Sequence, residues 1–459
     1  MKVAIIGGGI VGATCAYYLS KDKDIELTVF DYGVGQATKA SAGIISPWFS
    51  KRRNKPWYKM ARLGADFYLK LVQDLEDEGI NTNFYSQCGV YLLKKDEVKL
   101  PELKELAESR MELSPMIGEL KLLPKEEVQK IIPSFDNNGD VLYASGGGRV
   151  EGERFVNILL EASKAKVVNK KVSLELAGDK YLVDNKEFDV VVLATGAWLK
   201  DVLEPLGFAV DVRPQKGQLR DYKIKDNNTG AYPVIMPEGE LDIIPFENGV
   251  VSVGATHEND MGFDLTVDEP LLQQMEEVAL PYYPALAEAT TIGERVGIRA
   301  YTSDFSPFFG QVPDLAGVYV ASGLGSSGLT TGPIIGYHLA QLTQDKELTL
   351  DPINYPIANY VKRVKSEWYS MKIKEQARKL AEGCSKHCFE AVYRTDEVSN
   401  HTHGKAKLTW LEEIFEEYKH FTEILAYPLG WQMTFPIKNG KIRKNNPRIE
   451  EKRCKKRFW

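Results

Sequence analysis

The chain has 459 residues, 43% of them hydrophobic and 27% charged, which leaves room for two or three domains with ample core and excludes general disorder. A formal net charge of −6 argues against a general nucleic-acid binder, and no nucleic-acid partner is expected. No apolar run approaches the ~18 residues of a spanning helix and residues 1–12 lack a secretory cleavage site, so neither an integral membrane segment nor a signal peptide is expected.

The first predicted strand, from Lys2, runs into Gly7, Gly9 and Gly12 and then into a helical pattern from Ala13 to Ser20. The three glycines have the GxGxxG spacing of a dinucleotide-binding turn. Gly7 would permit the tight turn, Gly9 the approach of a pyrophosphate, and Gly12 close packing of helix on strand, with the free N–H groups of the helix start facing the phosphates. A second apolar strand, Ile25 to Phe30, ends in Asp31. That acid stands where ribose hydroxyls would be accepted, or it is an ordinary strand-end acid facing water.

Residues Met60 to Glu78 and Pro101 to Met111 show helical spacing. Val190 to Leu193 is a β-branched run suited to a strand buried on both faces. From Gln215 to about Glu294, short apolar stretches alternate with turns and predict an antiparallel sheet, followed at Leu271 to Leu280 by a short helix. Val318 to Ser322 reads as a strand, and Gly323 to Gly328 as a loop opening the helix Thr330 to Leu342.

Beyond about residue 370 the character changes. Four of the six histidines and three of the five cysteines lie there, and the stretch Lys441 to Trp459 is strongly basic. Cys384, Cys388, His401 and His403 match no common zinc spacing, so no metal site is expected, and Leu408 to Tyr427 has helical periodicity. The five scattered cysteines point to no disulfide framework and to a reducing, cytoplasmic setting.

Seven segments, taken in order, resemble the glycine oxidase, sarcosine oxidase and D-amino-acid oxidase/dehydrogenase family of FAD enzymes over residues 1 to about 366. They are Gly7 to Gly12, Lys39 to Ile44, Gly146 to Glu151, Val190 to Trp198, Pro214 to Gln218, Gly297 to Arg299 and Ala321 to Pro333. The resemblance implies an α/β fold: an FAD-binding Rossmann-like domain with a parallel sheet from residues 1–47, 145–215 and 295–366. It also implies an inserted antiparallel-sheet substrate domain from 48–144 and 216–294. A mainly helical C-terminal extension, 370–459, would follow.

The same resemblance carries site residues. Ser41, Ala42, Gly43 and Ile44 would pass the pyrophosphate toward the flavin, alongside Gly7, Gly9, Ile10, Val11, Gly12 and Asp31. Val172 would hold the adenine through its backbone, or it is a plain core valine. Gly325, Ser326, Ser327, Gly328, Leu329 and Thr330 would bring a helix N-terminus to the pyrimidine end of the isoalloxazine, where its partial positive charge stabilises the reduced anion. Arg299 matches the residue that binds the substrate carboxylate by two parallel hydrogen bonds. Asp242 stands near a position where glycine oxidases carry a tyrosine, and would put an acid in the pocket or face solvent. No cysteine lies near Arg299, so the FAD is expected to be non-covalent.

The implied activity is oxidation of the C–N bond of a small amino acid, with electrons passed to oxygen or another acceptor and the imine hydrolysed to an oxo acid. A flavin-binding regulatory or RNA-related module without amine oxidation is the alternative. An NAD(P) dehydrogenase built on the same N-terminal unit fits less well with the loop at Gly323 to Gly328.

Overall fold

The computed structural model describes residues 1–364, apart from Glu97 and Asn138. The histidine- and cysteine-containing basic extension lies outside the described residues, as do the metal-ligand candidates considered within it.

A six-stranded sheet takes its strands in the order 308–311, 318–322, 190–193, 2–6, 26–30 and 166–168. Every neighbouring pair is parallel except the first, which is antiparallel. Val190–Leu193 is buried along its whole length, as a strand covered on both faces requires. The turn after the first strand is possible only for glycine. Gly7 has φ +106°, and a Cβ there would stand 2.3 Å from the carbonyl oxygen of Ala194 on the neighbouring strand. The helix Ile10–Leu19 starts three residues earlier than the sequence pattern suggests and is nearly all buried, because the helices Gly152–Ser163 and Gly328–Leu342 both pack against it.

A second sheet has eight strands in the order 290–301, 213–223, 250–254, 242–245, 234–236, 90–92, 141–144 and 120–123. Its pairs are antiparallel except 90–92 with 234–236. The region 48–144, where the sequence shows periodicity only for helices, supplies the helices Lys55–Glu76 and Lys99–Glu108 but also three of these strands. Strands of three or four residues are too short to show an alternating pattern, and only pairing across the sheet defines them. The helix Glu269–Ala279 covers one face, where Arg220 pairs with Glu269 and Glu294. Among the described residues no helix is long and apolar enough to cross a membrane.

Candidate active site

A cavity of about 590 Å³ opens at the carboxyl ends of the parallel strands, the usual position for a ligand in a sheet of this kind. Ile6, Asp31, Ala194 and Ser322, each at or just past a strand end, form part of its wall. Of the residues expected to hold the cofactor, Gly7, Gly9, Ile10, Val11, Asp31, Val172, Gly325 and Gly328 line it. A Cβ on Gly9 would meet only Thr38 Oγ1, at 3.4 Å, so the protein itself leaves room there and the missing side chain serves what approaches from the cavity. Asp31 accepts both side-chain N–H bonds of Gln36, at 2.8 and 2.6 Å. Gln36 Oε1 and Thr195 Oγ1 belong to cavity-lining residues and are buried without a hydrogen-bond partner. Buried polar atoms of that kind call for a polar ligand.

Gly12, Ser41, Ala42, Gly43, Ile44, Ser326, Ser327, Leu329 and Thr330 do not line this cavity. Gly12 is packed under the turn, where a Cβ would lie 1.9 Å from the carbonyl of Gly7, and Gly43 presses on the carbonyl of Val150. Ser41 donates to the carbonyl of Thr38, and its own carbonyl accepts from Arg295. Ser327 receives the indole N–H of Trp57, and Leu329 gives its carbonyl to Tyr68. Leu329 and Thr330 are buried in the helix.

Beside the cavity, the second sheet brings three candidate site residues together. Residues directly paired across strands share a face, as do residues two and four apart along one strand. Gln215 pairs with Arg299, Leu219 with both Arg295 and Gly254, and Gly254 with Asp242, so Arg299, Arg295 and Asp242 share one face. The chain neighbours of Arg299, Ile298 and Ala300, line the cavity. The guanidinium of Arg299 lies over Gly217, where a Cβ would come within 2.5 Å of Nη1. Nη1 donates to the carbonyl of Thr256 at 2.7 Å and to Gln215 Oε1 at 3.1 Å, whereas Nε and Nη2 make no hydrogen bond among the described residues. Burial lowers the pKa of this guanidinium, against the opposing influence of Tyr301, Glu240 and Glu258, but an arginine remains charged.

A buried network holds Thr256. Its hydroxyl accepts from the backbone N–H of Gln218 and donates to Glu258 Oε1. Glu258 in turn accepts from Gln218 Nε2 and lies 3.6 Å from the ammonium of Lys216, a side chain only 1% exposed that also pairs with Asp264 at 3.0 Å. Arg299 is thus placed by neutral groups whose own positions are fixed by buried charges.

His257 lies close enough to Arg299 for their charges to interact. Burial first, and that arginine second, push its pKa below the usual histidine value, while Glu240 Oε2 stands 3.2 Å from Nδ1. Nothing local in the sequence links His257 to Arg299, 42 positions later. The side chain of Asp242 makes no hydrogen bond among the described residues, and burial alone pushes its carboxyl up to about 7.

The family model described as FAD dependent oxidoreductase matches residues 2–342. The chain belongs to this family. It is 39% identical over 357 residues to an uncharacterized oxidoreductase, YurR, of Bacillus subtilis, covering 76% of this chain and 96% of that one. It is 27% identical to the glycine oxidase of Pseudomonas aeruginosa over 77% of this chain and 98% of the other. Among solved structures, the iminodiacetate oxidase of Chelativorans sp. BNC1 superimposes with a TM-score of 0.73 at 31% identity, covering 77% of this chain and 98% of its own.

The protein is therefore an FAD-dependent oxidoreductase built on a Rossmann-like parallel sheet, and the residues present fit that cofactor. The glycine turn and the start of the helix Ile10–Leu19 suit a pyrophosphate, Asp31 a ribose, and the unpartnered Gln36 Oε1 and Thr195 Oγ1 further polar groups of the dinucleotide.

Proposed function

We propose that this oxidoreductase oxidises the C–N bond of a small amino acid whose carboxylate is held by Arg299, with oxygen or another acceptor taking the electrons. The observation that carries the reading is the half-buried guanidinium next to the cavity, held by Nη1 and presenting Nε and Nη2, the edge a carboxylate takes by two parallel bonds. By their names, the relatives noted above act on glycine and on iminodiacetate, both amines that carry a carboxylate.

FAD held in this cavity would supply the hydride acceptor for oxidation at the substrate α-carbon, and the imine left on the substrate would add water to give an oxo acid and ammonia or an amine. The chain's own contribution is orientation. Arg299 fixes the carboxylate, and the Thr256–Gln215 pair fixes Arg299. The ring of Tyr301 rests on Gly325, at the rim of the cavity, and its hydroxyl accepts from the backbone N–H of Ser326 at 3.0 Å. Fixing the reacting bond in this way is worth several orders of magnitude in rate without a protein base.

We infer that the FAD is non-covalent. Among the described residues the cavity lining contains no cysteine or histidine, Cys15 is buried in the N-terminal helix, and Cys88 hydrogen-bonds the carbonyl of Gly89. The test is the visible spectrum of the purified protein, followed by anaerobic additions of glycine, sarcosine, proline, D-amino acids and iminodiacetate. Bleaching of the flavin by an amino acid, and release of the pigment on acid denaturation, are expected. A flavin that no amino acid bleaches would refute the reading, and pigment retained on the precipitated polypeptide would refute non-covalent binding.

A further inference from the structure

Three guanidinium groups surround Tyr301, and none of them has a carboxylate partner in an ion pair among the described residues. Arg299 bonds a backbone carbonyl and the amide of Gln215. Arg213 donates to Asn259 Oδ1 at 3.1 Å, and the same oxygen receives Gln215 Nε2 at 2.9 Å, so the two arginines are linked by neutral amides. Arg52 donates to the carbonyl of Phe305 at 2.8 Å and lies 4.5 Å over the ring of Trp57, whose indole N–H reaches Ser327.

These groups converge on one place. Arg213 pairs directly with Tyr301 across the sheet, one step from the Gln215–Arg299 pair, so all four side chains share a face. The Arg213 guanidinium lies 5.6 Å from the Tyr301 ring and 5.2 Å from that of Phe305. Arg52 and Arg299 both interact electrostatically with Tyr301.

The acids in the neighbourhood act on these arginines only at a distance, Asp304 on Arg52 and Glu240 and Glu258 on Arg299, and their direct partners are other groups. Asp304 accepts from Tyr360, Thr302 and the backbone of Ser306. Asp211 accepts from Ser303, Glu258 is tied to Lys216, Gln218 and Thr256, and Glu240 stands against His257. One carboxylate on Arg299 would therefore leave two further guanidinium groups at the same mouth without a paired carboxylate among the described residues, a field that the more distant charge of Asp304 on Arg52 offsets in part and that favours a second negative group.

Building on Arg299 as the carboxylate clamp, we propose that the substrate is a dicarboxylic amino acid or amine, its second carboxylate held between Arg213 and Arg52 across the Tyr301–Phe305 pair. Two residues along a strand advance ~6.6 Å, a step that the two carboxylates of a short acid can bridge. Arg213 and Arg52 would then set specificity, while Arg299 sets orientation at the reacting carbon.

The experiment uses the FAD-loaded full chain and measures anaerobic flavin reduction by matched pairs: iminodiacetate against sarcosine, and D-aspartate and D-glutamate against D-alanine. The dicarboxylate of at least one pair is expected to be preferred by ten-fold or more. Arg213→Gln and Arg52→Gln should each lower that preference by about ten-fold, the scale of one charge-assisted hydrogen bond, chiefly through the substrate Kd rather than the limiting rate of reduction. Arg213→Lys and Arg52→Lys should recover part of it, and serve as the test if either glutamine variant fails to retain FAD. Equal efficiency within every pair, or a preference that none of these variants moves, overturns the dicarboxylate assignment and leaves the reading of Arg299 standing. A flavin reduced by neither series overturns both.

Discussion

Removing the Arg299 side chain should cripple the substrate half of the reaction and spare the cofactor half. The guanidinium offers Nε and Nη2 to a carboxylate, and hydrogen bonds between charged groups are worth ~1.5–3 kcal/mol net. At about 1.4 kcal/mol per ten-fold, Arg299→Ala should lower the efficiency of flavin reduction by about 10- to 150-fold. The loss should be accompanied by loosening of Gln215, whose Oε1 gives up its donor from Arg299 Nη1. Arg299→Lys should recover only part, because an ammonium restores the charge without the planar fork. The assay is anaerobic stopped-flow reduction of the bound flavin across a substrate series, with flavin content per polypeptide measured beside it. That content should not change, since Arg299 does not line the cavity assigned to the cofactor. Wild-type efficiency in Arg299→Ala would refute the clamp.

Gly9→Val should give a folded protein that does not retain FAD, because among the described residues the one atom near a Cβ there is Thr38 Oγ1 at 3.4 Å and the remaining space faces the cavity; flavin absorbance after gel filtration measures this, and normal occupancy would refute the assignment. Asp242→Asn tests the carboxyl whose pKa burial raises to about 7. With the folded pKa above the unfolded ~3.9, the native state binds more protons than the unfolded chain between these values, so the group's contribution to stability falls as pH rises through that window. The Tm of Asp242→Asn relative to the parent should accordingly increase from pH 5 to pH 8, and a difference independent of pH would contradict the burial of this carboxyl. Thr256→Val removes the hydroxyl bonds to Gln218 and Glu258. It should cost ~1–3 kcal/mol of stability in a denaturant titration and raise the substrate KM without loss of FAD. An unchanged KM would show that Arg299 does not depend on this network.

The strand–glycine–helix start, the buried run Val190–Leu193 and the order of seven glycine-bearing segments were legible in the sequence because their chemistry is local. A turn at φ +106° against a neighbouring carbonyl admits only glycine, and a strand covered on both faces needs apolar residues throughout. Only the tertiary structure decided how distant strands meet. The short strands 90–92, 120–123 and 141–144 carry no periodicity of their own and exist through their partners in the eight-stranded sheet. The same holds for the surroundings of Arg299. Sequence marks the arginine, but its support by Gln215 and Thr256, the proximity of His257, and the convergence of Arg213 and Arg52 on Tyr301 arise from register across strands and from contacts between segments as many as 250 residues apart. A charge reveals its partner only after folding, because the range of an ionic contact is a few ångströms of space and has no fixed separation along the chain.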